Sequence, residues 1–167
     1  VYTADPEKTD TVRFVTALNC RSAETAFDAM RKTKEKFGKT DGVLGYHFIQ
    51  SFAPGEVTPE QAHEIGMELA REILGGKYEF VLTTHIDRDH VHNHLIFNAV
   101  SFTDHKHYHS NKRSYYFIRR TSDRLCKEHG LSVIVPGPDR AKSYIEPPTA
   151  RSGTSHTAHL RPAKDPP

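Results

Sequence analysis

The sequence predicts an α+β domain in which helices cover one face of a mainly antiparallel sheet. Runs rich in β-branched and aromatic residues alternate with amphipathic segments of helical length over most of the 167 residues. Two such runs, 78–84 and 91–100, are separated by a short polar connection, which favours an antiparallel pair, and a weaker strand follows within 101–109. With 36% hydrophobic residues, the chain can bury one sizeable core.

The first half of the chain gives a strand, a helix and a second strand. The segment 12–18 alternates enough to form a strand. Ser22 is a good N-cap for a helix through Phe37, which Gly38 ends. The segment 43–52 is predicted to be the second strand.

The later helices have clearer boundaries. The segment 58–61, Thr-Pro-Glu-Gln, combines an N-cap, a proline at the first helical position and a capping-box glutamine, and this helix should end at Gly75. The segment 110–113 opens another helix, which Gly130 ends. A final edge strand is predicted over 131–135.

The stretch between the two central runs concentrates metal-binding side chains. In a strand, His92 and His94 project from the same face, and antiparallel pairing brings His85 back beside them. We therefore predict that three neutral imidazoles converge on one divalent ion. A site with three histidine ligands keeps positions open to water or substrate, which favours catalysis over a structural role.

Other polar residues of this region have weaker assignments. Asp87 could be a fourth ligand, but we assign it the role of orienting a ligating histidine, because carboxylates commonly accept the other ring N–H. Asp89 and His90 are expected in a solvated turn. His47 lies in the middle of a predicted strand, where a core or hydrogen-bonded histidine is favoured over a ligand, although it could line the site.

The order His-x-Asp-Arg-Asp-His-x-His-x-His in 85–94, with Asn98 beyond it, resembles the third motif of conjugative relaxases, especially the MOBP-like branch of the HUH endonucleases. Asn93 stands where the superfamily expects a hydrophobic residue. The segment 47–56 is similar to relaxases of conjugative transposons, and the resemblance covers residues 2–135. It implies an HUH-type fold and a nuclease that nicks single-stranded DNA and transfers the strand.

The resemblance also implies a tyrosine nucleophile near the N-terminus, for which Tyr2 is the candidate. The sequence starts at Val1 without methionine, so we expect a relaxase domain over 1–135 that lacks its first strand. A swapped dimer, in which another chain supplies that strand, is an alternative. Tyr115 and Tyr116 are alternative candidates for the nucleophile, but they fall in a predicted helix, where packing or stacking on DNA is favoured.

The activity expected from the resemblance is transesterification at a transfer origin through a 5′-phosphotyrosyl intermediate. Mg²⁺ or Mn²⁺ is the expected cofactor, and hairpin DNA and other transfer proteins are the expected partners. The chain contains no apolar run of membrane-spanning length and only two cysteines, Cys20 and Cys126, so we expect a cytoplasmic protein with free thiols.

Charge does not by itself indicate nucleic-acid binding, because the net charge is only +2. DNA contacts must therefore come from local patches. Asn111, Lys112 and Arg113 at the start of a helix are the candidates, since a helix N-terminus favours phosphate, although a plain N-cap with solvated cations explains them equally well. The proline-rich segment 136–167 is expected to be a loosely ordered tail or linker.

Three rival functions remain open. An HUH replication initiator or transposase would share the metal site and use Tyr115 or Tyr116. A metal-dependent hydrolase or deaminase would need a general-base glutamate, yet no zinc signature with a cysteine pair accompanies the histidines. A DNA-binding module without activity would need neither the histidines nor the tyrosine.

Overall fold

A computed structural model describes residues 14–86, 90–134 and 160–162 of the protein. In chain order, its elements are β1 (Val15–Leu18), α1 (Ala26–Lys36), β2 (Gly45–Ser51), α2 (Pro59–Leu74), β3 (Phe80–His85), β4 (His92–Asn98), α3 (Lys112–Glu128) and β5 (Leu160–Pro162). The weaker strand expected within 101–109 is reduced to a single bridge between Val100 and His107.

The strands form one antiparallel sheet in the order β1-β3-β4-β2-β5. Helices and an antiparallel sheet confirm the predicted α+β class. Central pairing of β3 with β4 places His85 directly opposite His92 and Thr83 opposite His94. On the other side of β4, Ile49 of β2 is opposite His94. The register therefore fixes which side chains share a face.

The two faces of the sheet differ because successive side chains alternate across it. Leu82, Leu95 and Phe97 are almost fully buried on one face, where α2 and α3 pack. The other face carries the histidines. At the far end of that second face, the Asn98 side chain donates a hydrogen bond to the Met30 carbonyl of α1 at 3.1 Å. The main core therefore lies behind the histidines.

Local sequence signals set the start of α2 as predicted. Thr58 and Gln61 form a capping box, and Gly75 ends the helix with a positive φ of 55°. The predicted start of α1 at Ser22 is wrong, because Thr25 is the N-cap residue. The Ser22 hydroxyl instead accepts a hydrogen bond from the Thr25 N–H at 3.4 Å, which shapes a turn before the helix.

The predicted edge strand after α3 is also wrong, because residues 131–134 have no regular structure. The Leu131 N–H donates to the Cys126 carbonyl at 2.8 Å, and the Ser132 N–H donates to the Glu56 carboxylate. These two backbone N–H groups therefore bond to the end of α3 and to a side chain, and not to a neighbouring strand. The edge of β2 is paired with β5 instead, and the rest of the expected tail lies outside the described residues.

Cys20 and Cys126 are free thiols, as predicted, and burial raises the pKa of Cys126 to about 11. Within the described ranges, no helix is both long and apolar enough to cross a membrane.

Candidate metal centre

Three buried histidines meet at the ends of the two central strands. His85 ends β3, His92 and His94 begin β4, and their exposed fractions are only 2%, 7% and 8%. One ring nitrogen of each lies within 4.8 Å of those of the other two. The structure thus brings together the three residues for which strand alternation predicted a shared ligand set.

The donor set fits a divalent transition-metal ion. Neutral imidazole nitrogens are good ligands for such ions, and the cluster found in the described part of the chain contains no carboxylate. His92 Nδ1 lies 3.4 Å from the His90 carbonyl oxygen and can donate its N–H there. His85 Nε2 lies 3.3 Å from Thr83 Oγ1. Such contacts hold a ring in place while its other nitrogen faces an ion.

His94 has a different partner on the neighbouring strand. Its Nδ1 lies 2.6 Å from Nε2 of His47, and the two rings are stacked with centroids 4.8 Å apart. His47 is therefore hydrogen-bonded beside the site, which agrees with the favoured expectation for it. It contacts a triad member rather than joining the triad.

Comparison with known proteins decides the family. The family model for the MobA/VirD2-like relaxase nuclease domain matches residues 2–131. The chain belongs to this relaxase family. It is 42% identical to Protein rlx of Staphylococcus aureus over 120 residues, which are 72% of this chain and 38% of that protein.

More distant relatives agree with this assignment. The group II intron-interrupted relaxase LtrB of Lactococcus lactis is 31% identical over 175 aligned positions, 82% of this chain and 31% of that protein. The T-DNA border endonuclease VirD2 of Rhizobium radiobacter is 29% identical over 111 residues, 61% of this chain and 26% of that protein. This relaxase chain thus spans about a third of the length of its curated relatives. No solved structure matches it.

The opposite face of the relaxase sheet carries a buried polar network directly behind the triad. Thr84 donates its hydroxyl hydrogen to Asn93 Oδ1 at 2.7 Å, so its oxygen must accept from His63 Nδ1, 2.8 Å away. That fixes His63 Nδ1 as a donor, and Nε2 of the neutral ring accepts from the Thr16 hydroxyl at 2.8 Å. Burial lowers the pKa of His63, which favours this neutral ring.

The same network explains the polar residue within the His-x-His element. The Asn93 side chain is 1% exposed, and its Nδ2 donates to Gln50 Oε1 at 3.1 Å and to the Ala62 carbonyl at 2.6 Å. Gln50 in turn donates to Ser122 of α3 at 2.9 Å. Asn93 therefore occupies the position expected to be hydrophobic because α2 and β2 supply its hydrogen-bond partners.

Sequence reasoning did not predict this network. The available signals were two polar residues in predicted strands, Gln50 in one and Asn93 in another. Recognising that they are partners requires the register of β2 against β4. Gly66 of α2 also belongs to it, since a Cβ at that position would lie 2.5 Å from Asn93 Nδ2.

The remaining predicted site residues do not join the triad. Tyr2 and Asp87 lie outside the described residues. Lys112 and Arg113 are exposed in the first turn of α3, and Asn111 Oδ1 accepts from the Ser114 N–H at 3.0 Å as the helix cap. Because α3 packs on the face opposite the histidines, these residues form a separate surface.

Proposed function

We propose that this relaxase domain nicks single-stranded DNA at a transfer origin and transfers the strand through a covalent phosphotyrosyl intermediate. The buried histidine triad is the observation that supports the proposal most, because it groups three imidazoles that could hold a metal ion within a relaxase nuclease domain. The whole protein would then act with other transfer proteins in the cytoplasm to initiate conjugative transfer.

The triad is proposed to hold Mg²⁺ or Mn²⁺. Of these two ions, Mn²⁺ suits the site better, because three nitrogen donors favour a first-row transition metal over a cation that prefers oxygen ligands. Such an ion supplies charge neutralisation at the phosphoryl oxygens. Asp87 is proposed to hold one of the histidine rings in its binding orientation.

Tyr2 is the proposed nucleophile. Its phenolic oxygen attacks phosphorus while the bond from phosphorus to the 3′ oxygen breaks. The phenolic proton is lost to a base, and the departing 3′ oxygen takes up a proton to become a hydroxyl. The phosphotyrosyl bond conserves the free energy of the phosphodiester, so religation can occur by the reverse step without ATP.

The N-terminal half of α3 is proposed to bind the DNA strand. No acidic residue occurs between Asp104 and Asp123, an interval that contains five lysines and arginines, although the whole chain has a net charge of only +2. Lys112 and Arg113 are exposed there, and the neighbouring rings of Tyr116 and Phe117 are 47% and 51% exposed. Cations and aromatic rings together suit phosphates and unpaired bases.

A covalent-adduct assay tests the nucleophile. The full chain is incubated with single-stranded transfer-origin DNA and Mn²⁺, and a denaturing gel detects protein joined to DNA. Tyr2→Phe should abolish the band, because only the phenolic oxygen is lost, whereas Tyr115→Phe and Tyr116→Phe should retain it. A band that persists in Tyr2→Phe and disappears in Tyr115→Phe or Tyr116→Phe would favour the replication-initiator alternative.

The fold already argues against that alternative. Tyr115 and Tyr116 lie on α3, which contacts the sheet through Ser122 and Gln50 on the face away from the triad. A phosphate held at the histidines would therefore lie on the other side of the sheet from these two hydroxyl groups, whereas the rest of the DNA strand can extend past the edge of the sheet to α3.

Binding measurements test the DNA surface separately. Replacing Lys112 and Arg113 together by alanine should weaken binding of a fluorescent single-stranded oligonucleotide and lower the salt dependence by about one unit of slope per lost phosphate contact. Lys32→Ala on the exposed side of α1 is the control and should change neither quantity. Unchanged affinity and slope in the double variant would reject α3 as the binding surface.

A further inference from the structure

His47 is joined to the triad by a short contact between two ring nitrogens. On β2, His47 is paired with Ile96, so it lies diagonally across from His94 on the same face of the sheet. The separation of 2.6 Å between His47 Nε2 and His94 Nδ1 requires a shared proton, because two lone pairs would repel at that distance.

Which ring donates this proton has a consequence for metal binding. A neutral imidazole carries one N–H, so if His94 donates from Nδ1, its Nε2 keeps a lone pair for an ion. If His47 donated instead, His94 would carry its proton on Nε2, the nitrogen that must bind the metal. Only the first arrangement is compatible with His94 as a ligand through Nε2.

We propose that His47 is a positioning residue, which accepts the Nδ1–H of His94 and so fixes the tautomer and ring orientation of that ligand. Carboxylates and backbone carbonyls usually have this role beside metal-binding histidines, and here an imidazole has it. The inference rests on the proposed metal site and adds a residue outside the triad to it.

The contact between His47 and His94 joins two distant parts of the chain, unlike the contacts of His92 and His85 described above. His92 uses the carbonyl of His90 and His85 uses the hydroxyl of Thr83, so each finds its contact two residues away in its own chain segment. His94 instead uses a side chain 47 positions away, on a different strand. Its orientation should therefore respond to replacement of that side chain.

Metal binding and histidine tautomers test the proposal together. Mn²⁺ affinity is measured by the loss of the free-ion electron paramagnetic resonance signal, and the His94 tautomer is read in the metal-free protein from long-range nitrogen couplings by NMR. His47→Leu removes the acceptor, while His47→Gln keeps one in its side-chain oxygen. His109→Leu, at an exposed position, is the matched control.

The parent should show His94 protonated at Nδ1. His47→Leu should shift His94 towards the Nε2–H tautomer and weaken Mn²⁺ binding by about 10–100-fold, the usual effect of losing such a partner. His47→Gln should restore both properties, and His109→Leu should leave both as in the parent. If His47→Leu fails to fold, His47→Gln still decides, because the proposal requires it to keep His94 protonated at Nδ1.

Two results would overturn the inference. A parent-like His94 tautomer and Mn²⁺ affinity in His47→Leu would show that His47 does not position the ligand. A parent that binds no Mn²⁺ would reject the metal site itself, and this failure is distinguishable because it appears before any substitution is made.

Discussion

A single methyl group added at Gly66 should reveal how tightly the network behind the triad is packed. The Cβ of Gly66→Ala would lie 2.5 Å from Asn93 Nδ2 and 3.0 Å from Leu82 Cδ2. Asn93 cannot move away freely, because Thr84, Gln50 and the Ala62 carbonyl all bind its side chain. The substitution therefore has to displace a buried, fully hydrogen-bonded amide.

The expected change in the free energy of unfolding follows from one stabilising and two destabilising effects. Alanine is favoured over glycine in a helix by about 1 kcal/mol. Overpacking costs about 1–3 kcal/mol, and breaking an Asn93 hydrogen bond adds about 1–3 kcal/mol. Gly66→Ala should thus lower the free energy of unfolding by about 1–5 kcal/mol. Asn93→Ala should lower it by a similar amount, because it leaves the Thr84 hydroxyl and the Gln50 side-chain oxygen without this partner.

The double variant distinguishes this explanation from a general weakening of α2. With the Asn93 amide removed, the new methyl group gains space, so the double variant should be less destabilised than the sum of the single variants by about 1–3 kcal/mol. Urea denaturation followed by circular dichroism measures each value. Glu64→Ala at an exposed position of α2, combined with Asn93→Ala, is the control and should be additive. Additivity of Gly66→Ala with Asn93→Ala would refute the proposed contact.

Three further predictions concern the triad and its surroundings. His92→Ala and His94→Ala should each abolish Mn²⁺ binding and nicking together, because two imidazoles are too few to hold the ion; retained Mn²⁺-dependent nicking in both would reject the ligand assignment. Asp87→Ala should weaken Mn²⁺ affinity by about 10–100-fold in a binding titration, whereas complete loss would make Asp87 a ligand. Burial lowers the pKa of His63, so its contribution to stability is complete above the ordinary histidine pKa of about 6.5 and is lost as the pH falls through its folded value. The free energy of unfolding of His63→Gln should therefore fall less between neutral and mildly acidic pH than that of the parent, and equal slopes would contradict this.

Some features of the relaxase domain were predictable because they depend on residues close together in the chain. The alternation of a strand puts His92 and His94 on one face whatever surrounds them. The capping box of α2 needs only Thr58 and Gln61, three residues apart. The short connection between the two central runs made their antiparallel pairing the simplest arrangement, which brings in His85.

Other features were decided only by the register between distant strands. Whether His47 contacts His94, and whether Gln50 meets Asn93, depends on how β2 is aligned with β4, and a shift of one residue would turn each side chain to the other face. Likewise, residues 131–134 have the composition of a strand, but β5 takes the edge of β2. Local hydrogen bonds and strand alternation thus determined the triad. Long-range packing decided which buried polar groups hold its strand and its rings in place, because those partners are brought together only when the sheet and α2 have formed.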